Sequence, residues 1–339
     1  MGIPPGADRI EQIAFGFMAS KVLFSALVFE LFTQLAKGPL DAEELRGRLG
    51  LHPRSVRDFL DALVALGMLE RRGEVYSNTE ETDFYLDRAK PTYIGNFFEL
   101  WNVRGYSFFG SLSEGLRTGK PQNEIKGGER AEDLFTALYA NPDRARLFQR
   151  SMTGHSLPSA MSIAQKFPWS KYRTFVDIGT AEGCLPVRVA LANPHLIGEG
   201  FDLPMVRPFF EEYVASFGVQ GRVRFHPGDF FKDSLPGADV LVMGMILHDW
   251  NLDEKLTLLK KAYDALPAGG SLIVYEHLID DERRKNVAGL LMSLMMLIET
   301  QEGFDYTGAD CCGWMREVGF RESYVERLTA VESMVVGVK

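Results

Sequence analysis

The stretch Val-Asp-Ile-Gly-Thr-Ala-Glu-Gly, residues 176–183, constrains the fold more than any other part of this 339-residue chain. An apolar strand runs into Asp177 and Ile178, small residues turn the chain over Gly179–Gly183, and a helical run follows from Leu185 to Leu191. A second strand-like stretch, about twenty residues further on, ends in Asp202, and a third ends in Gly228-Asp229-Phe230-Phe231. This series describes a nucleotide-type pocket at the carboxyl edge of a parallel sheet. The turn by itself suits a ligand-free strand-to-helix connection equally well. Asp202 favours the pocket, because it falls where a dinucleotide fold sets the acid that grips ribose hydroxyls.

The residues of the turn narrow the ligand. A nicotinamide site wants three glycines so that a pyrophosphate can approach the backbone. Here Ala181 takes the middle position and Glu182 stands beside it, where a carboxylate would repel a pyrophosphate. A ligand without phosphate that carries an amino-acid cation fits better, and S-adenosylmethionine is such a ligand.

Beyond residue 166 the pattern alternates strand and helix. Strands are expected at 174–178, 197–201, 223–226, 240–243, 271–275 and 333–338, with a helix over Leu252–Ala265 among those between them. That alternation predicts an α/β, doubly wound, Rossmann-like domain over 166–339. Residues 1–95 read differently. Helix-period segments over Ile10–Leu35, Ala42–Leu49 and Pro53–Leu66 precede a strand–Gly–strand signal from Met68 to Ser77, a helical winged-helix pattern. Its presumed recognition helix, Ser55–Leu66, mixes Arg57 with Asp58 and Asp61. Phosphate binding needs a net basic face, so packing or dimerisation is expected there rather than nucleic-acid binding.

The bulk chemistry agrees. Net charge is −9, which argues against nucleic acid as the main partner. The three cysteines, Cys184, Cys311 and Cys312, form neither a disulfide framework nor a Cys-x-x-Cys site, so a cytoplasmic location is expected. The apolar run Phe15–Phe32 is interrupted by Lys21 and Glu30 and is too short and mixed to span a bilayer. No secretory or myristoylation signal is expected, and the run suits an oligomer interface. Between the two domains, residues 96–165 are dense in aromatics. Of these, Phe98 and Trp101, with Met152 and the helically spaced Met292 and Met296, are expected to line a pocket for a flat substrate.

These motifs, in this order, resemble a known family. Asp177–Gly183, Phe201-Asp202-Leu203-Pro204, Gly228–Phe231, Leu247-His248-Asp249-Trp250, Pro267–Gly270 and Glu276 follow the pattern of class I S-adenosylmethionine-dependent O-methyltransferases. The chain is most similar to the plant caffeate and acetylserotonin subgroup with its bacterial relatives, whose N-terminal half is a homodimerisation domain. The resemblance implies that Asp177, Gly179, Ala181 and Gly183 cradle the methionine part of the cofactor and that Asp202 and Leu203 meet the ribose. It further implies that Asp229, Phe230 and Trp250 surround the adenine, and that Asp249 belongs to the cofactor wall. His248 would be the general base, with Glu276 and Asp305 as its acids, although the plant enzymes carry Glu at the second acid.

Chemistry independently suits a histidine there. A phenol, with a pKa near ~10, is a poor nucleophile until its proton leaves, and an imidazole with a reference pKa of about 6.5 can take it. Of the six histidines only His248 stands in such a block; His155 and His277 are expected to be structural. Two departures from the family pattern stand out: Thr180-Ala181-Glu182 in the turn, and Gly244 where the plant enzymes carry Lys, which is expected to open space. The acceptor is expected to be an aromatic small molecule. Carbon or nitrogen methylation, including a keto-acid branch with histidine-bound iron, is the alternative, and a ligand-sensing winged-helix regulator is a third reading. No metal is expected, since His248 alone does not make a facial ligand set.

Overall fold

The computed structural model describes residues 6–124, 126, 139 and 141–339. They fall into two compact units, Met1–Val103 and Arg104–Lys339. The expected connecting region 96–165 is thus divided: 96–103 belongs to the first unit and 104–165 to the second.

In the first unit the long apolar run breaks into three helices, Asp8–Ala14, Gly16–Val28 and Leu31–Leu35. Glu30 stands at the second break with φ 53°, a left-handed turn that no helix can continue through. Helix Ala42–Leu49 starts at a reciprocal cap: Asp41 accepts the Glu44 N–H at 2.8 Å and Glu44 accepts the Asp41 N–H at 3.0 Å. The next helix, Val56–Ala65, begins later than its sequence pattern suggested. Pro53 lies in the preceding turn rather than in the first helical turn. Val56, Leu60 and Leu63 face inward at helical spacing and meet Leu27, Leu31, Phe32 and Leu45 in one core. Strands β1 (Leu40–Asp41), β2 (Leu69–Arg72) and β3 (Val75–Asn78) form a small antiparallel sheet in the order β1-β3-β2. Asp61 collects the nearby basic and hydroxyl groups, accepting from Arg71 at 2.6 Å and from the Tyr76 hydroxyl at 2.8 Å. Ile10, Ile13, Phe15, Phe17 and Met18 are each more than half exposed, so the first two helices carry a strip of apolar surface. Among the described residues no single helix is long and apolar enough to cross a membrane.

The second unit is built on a seven-stranded sheet. Its strands are β4 (Thr174–Ile178), β5 (Ile197–Asp202), β6 (Val223–Pro227), β7 (Val240–Gly244), β8 (Ser271–Glu276), β9 (Glu322–Arg327) and β10 (Ser333–Val338). The spatial order is β6-β5-β4-β7-β8-β10-β9. The first five pair in parallel, and β10 runs antiparallel to both β8 and β9. The central strands β4, β7 and β8, buried on both faces, explain the mostly apolar runs in the sequence there. β9 was not anticipated, because Glu322-Ser-Tyr-Val-Glu-Arg327 is polar and mostly exposed, as suits the sheet edge. The chain runs outward from β4 through β5 to β6, then returns to place β7 on the other side of β4. The switch point therefore lies between the carboxyl ends of β4 and β7, where open α/β sheets hold their ligands.

Candidate active site

The turn after β4 is tightly determined. Gly179 has φ 72°, a conformation that favours glycine, and a Cβ there would lie 2.3 Å from Ile246 Cδ1, so the isoleucine tip would have to move. Ala181 also takes a left-handed conformation, φ 51°, which costs a non-glycine residue roughly 1–2 kcal/mol. Asp202, at the end of β5, offsets that cost by accepting the Ala181 N–H at 2.9 Å and the Leu203 N–H at 2.7 Å. Burial raises the Asp202 pKa to about 6 and that of Asp177 to about 7. The Thr180 hydroxyl oxygen is buried in this turn beside Asp177, whose pKa it lowers against burial. A left-handed glycine turn and two desolvated acids fit a ligand with hydroxyl donors and a cationic amino-acid end.

Glu182 does not act on this space as its position in the turn suggested. It is buried and accepts the Thr153 hydroxyl at 2.8 Å from the long helix Pro142–Lys166, and burial raises its pKa. Gly244 likewise opens no space. A Cβ at Gly244 would stand 2.0 Å from the ring of Tyr275, the residue paired with it across β7 and β8. The Tyr275 ring fills the room that the glycine leaves. Asp229 accepts the Phe231 N–H at 2.9 Å and the Lys232 ammonium at 2.9 Å, shaping the turn after β6. Trp250 packs edge-on against Phe230 and Phe231, with ring centroids 5.8 and 4.6 Å away.

His248 sits in the short helical turn Leu247–Asp249 after β7, 5 % exposed. Met245, with φ 53°, re-aims the chain just before it. Its Nδ1 lies 3.3 Å from Asp305 Oδ1 and its Nε2 lies 3.7 Å from Asp249 Oδ1. Glu276 also meets the backbone: its Oε1 accepts the His248 backbone N–H at 3.1 Å. The aspartate comes within ion-pair distance of the imidazole despite its short arm, without a hydrogen bond among the described residues, while the glutamate accepts from the backbone and keeps a carboxylate oxygen within 4.8 Å of the ring. Burial lowers the His248 pKa, but Asp249, Asp305 and Glu276 outweigh burial and raise it to about 10. Burial raises Asp249 to about 6 and also raises Glu276.

The loop bearing Asp305 is placed by residues that the sequence pattern did not single out. Ser293, on helix Val287–Glu299, accepts the Asp305 N–H at 3.2 Å. Gly303 passes so close that a Cβ would lie 2.5 Å from the His248 carbonyl oxygen. A glycine three residues after Thr300, which accepts its N–H at 2.9 Å, was the available signal.

The aromatic and methionine residues expected around a substrate are divided between the two units. Phe98 packs on the first unit's core, next to Phe97, which also meets Trp101 edge-on at 5.9 Å. In the second unit Met152 and Met292 are half-buried and Met296 is buried. His155 and His277 both turn Nε2 toward Glu332 Oε1, at 3.1 and 3.6 Å, while Ser159 donates to the other oxygen. This buried network joins helix Pro142–Lys166 to the ends of β8 and β10. Ser159 hydrogen-bonds the Glu332 carboxylate, and the two imidazoles lie within ion-pair distance of it.

Fold and site together define a methyltransferase of the S-adenosylmethionine-dependent class. The pattern of the O-methyltransferase domain matches residues 109–321, and that of the O-methyltransferase dimerisation domain matches residues 11–88. The chain is 41 % identical to the tetracenomycin polyketide synthesis 8-O-methyl transferase TcmO of Streptomyces glaucescens, over 98 % of this chain and 97 % of that protein. It is 35 % identical to the N,N-dimethyltransferase OxyT of Streptomyces rimosus, over 98 % and 96 % of the two chains. The crystal structure of human N-acetylserotonin methyltransferase in complex with SAM superposes with a TM-score of 0.88 at 30 % identity, covering 100 % of this chain and 99 % of that one. The chain belongs to the O-methyltransferase family, and S-adenosylmethionine is its cofactor.

Proposed function

We propose that this enzyme methylates a hydroxyl of an aromatic small molecule, with His248 as the general base. The observation that carries the reading is the buried His248–Asp305 pair at 3.3 Å beside the switch point of the sheet. When bound, S-adenosylmethionine supplies an electrophilic methyl group on a cationic sulfonium. The residues of the turn, Asp177, Gly179, Ala181 and Gly183, would hold its methionine end, and Asp202 with Leu203 its ribose. Asp229, Phe230 and Trp250 would enclose the adenine, with Asp249 in the adjoining wall. Asp305 holds the imidazole through Nδ1 and stabilises the imidazolium, which leaves Nε2 to take the phenolic proton. Met152, Met292 and Met296 would offer adaptable apolar contact to a flat acceptor. Kinship to TcmO, an O-methyl transferase of polyketide synthesis, points to a phenolic polyketide as the acceptor class.

The test is methyl transfer from labelled cofactor to polycyclic phenols, with product mass and regiochemistry read by mass spectrometry and NMR. An aryl methyl ether is the expected product. Kinship to OxyT favours a second reading, methylation of nitrogen, and an N-methyl product would displace the first. The pH profile carries a further expectation. The base works only as neutral imidazole, and its acids raise its pKa to about 10. The rate should therefore climb with pH along a limb that lies above the ordinary histidine value of about 6.5. Asp305→Asn should move that limb to lower pH while slowing turnover. A limb unmoved by Asp305→Asn would remove Asp305 from this role.

The exposed strip Ile10, Ile13, Phe15, Phe17 and Met18 lies in or next to the segment that matches the dimerisation domain. A homodimer that buries this strip is part of the same proposal. Sedimentation at micromolar concentration should give a dimer, and Ile13→Glu should shift it toward monomer. A stable wild-type monomer would overturn the assignment.

A further inference from the structure

We propose that Lys255 is a positioning residue for methyl transfer, its ammonium clamping the turn that carries His248 to the loop that carries Asp305. The proposal rests on the reading of His248 and Asp305 given above.

Lys255 lies on helix Leu252–Ala265, at the start of the stripe continued by Leu258, Leu259 and Ala262. That stripe faces the core, and Lys255 is completely buried. A lysine in such a place is rare unless its charge is paired. Its Nζ donates to the backbone carbonyl of Trp250, two residues beyond His248. The same Nζ lies 3.5 Å from the centroid of the Phe304 ring and 5.6 Å from that of Tyr306, the two neighbours of Asp305. One ammonium thus touches both segments whose separation sets the His248–Asp305 distance. The helix holds it there through its own first turn: Asn251 accepts the Glu254 N–H at 3.0 Å, and Glu254 accepts the Asn251 N–H at 3.2 Å.

Charge supports the geometry. Glu276, Asp305, Asp249 and Glu254 all act on the ammonium and favour its charged form, against burial, which lowers its pKa to about 8. Among these groups a second cation offsets the negative charge that His248 alone would face. A neutral side chain of similar length would keep the packing and lose both the carbonyl bond and the charge.

The experiment is a double-mutant cycle of Lys255→Met with Asp305→Asn, measured as kcat with saturating S-adenosylmethionine and a phenolic acceptor that wild type turns over. Lys255→Met in the wild-type background should lower kcat by about 10-fold or more, with cofactor Kd within about 3-fold. In the Asp305→Asn background the same change should cost no more than about 2-fold, because the clamp then has no acid to position. Equal losses in both backgrounds, or kcat unchanged by Lys255→Met, would overturn the proposal. If Lys255→Met fails to fold, Phe304→Leu removes the ring under the ammonium and must show the same dependence on Asp305; additivity there counts equally against the clamp. His248→Ala is run in parallel. Retained turnover in that variant would sink the base assignment, whereas lost turnover with an additive cycle would sink only the role of Lys255.

Discussion

His248→Ala should lower turnover by about 100-fold or more while leaving S-adenosylmethionine affinity within a few-fold. The separation of the two effects follows from the geometry. Asp305 faces the imidazole, 3.3 Å from Nδ1, whereas the turn after β4 is held by Asp202, on a different strand. Alanine removes the proton acceptor and leaves Asp305 and Glu276 buried without the cation they face. Some loss of thermal stability therefore accompanies the loss of rate. Single-turnover kinetics with prebound cofactor measures the chemical step directly. Unchanged single-turnover rates would take the base role away from His248, and with it the case for a phenolic acceptor.

The second large effect is expected at the cofactor. Asp202→Ala should weaken S-adenosylmethionine binding by roughly 10- to 100-fold, the range that loss of charge-assisted hydrogen bonds of about 1.5–3 kcal/mol implies. Two losses combine. The carboxylate proposed to meet the ribose hydroxyls is gone, and the Ala181 N–H, at φ 51°, loses its acceptor. Calorimetric titration reads the affinity, and kcat at saturation should change far less than Kd. The pH dependence has a definite sign. Burial raises the Asp202 pKa to about 6, and its ionised form is the stronger acceptor of hydroxyl donors. Binding therefore releases a proton near that pH, and affinity rises as pH increases through it. Wild-type affinity that is flat between pH 5 and 8, or unchanged affinity in Asp202→Ala, would exclude Asp202 from the ribose site.

Much of the scaffold was legible because its signals are local. The runs at 174–178, 271–275 and 333–338 are continuous apolar stretches between turn residues, and a strand buried on both faces requires just that composition. The polar edge strand β9 escaped notice because an exposed strand needs no apolar pattern. The helical run Ile10–Leu35 was legible as helix but not as three helices, since the break at Glu30 depends on how its neighbours pack.

At the site, the division runs along the same physical line. The sequence by itself determined the small-residue turn with its acid on the next strand, and the histidine in Leu-His-Asp-Trp, because each is written in residues a few positions apart. Only the tertiary structure decided that Asp305 and Glu276 both face His248, Glu276 also accepting from its backbone, and that Glu182 turns to Thr153. It also decided that Tyr275 occupies the room left by Gly244 and that a buried lysine lies under the Asp305 loop. Side-chain direction in a loop is set by what distant segments leave unfilled, and close packing makes that a property of the whole core rather than of any local stretch.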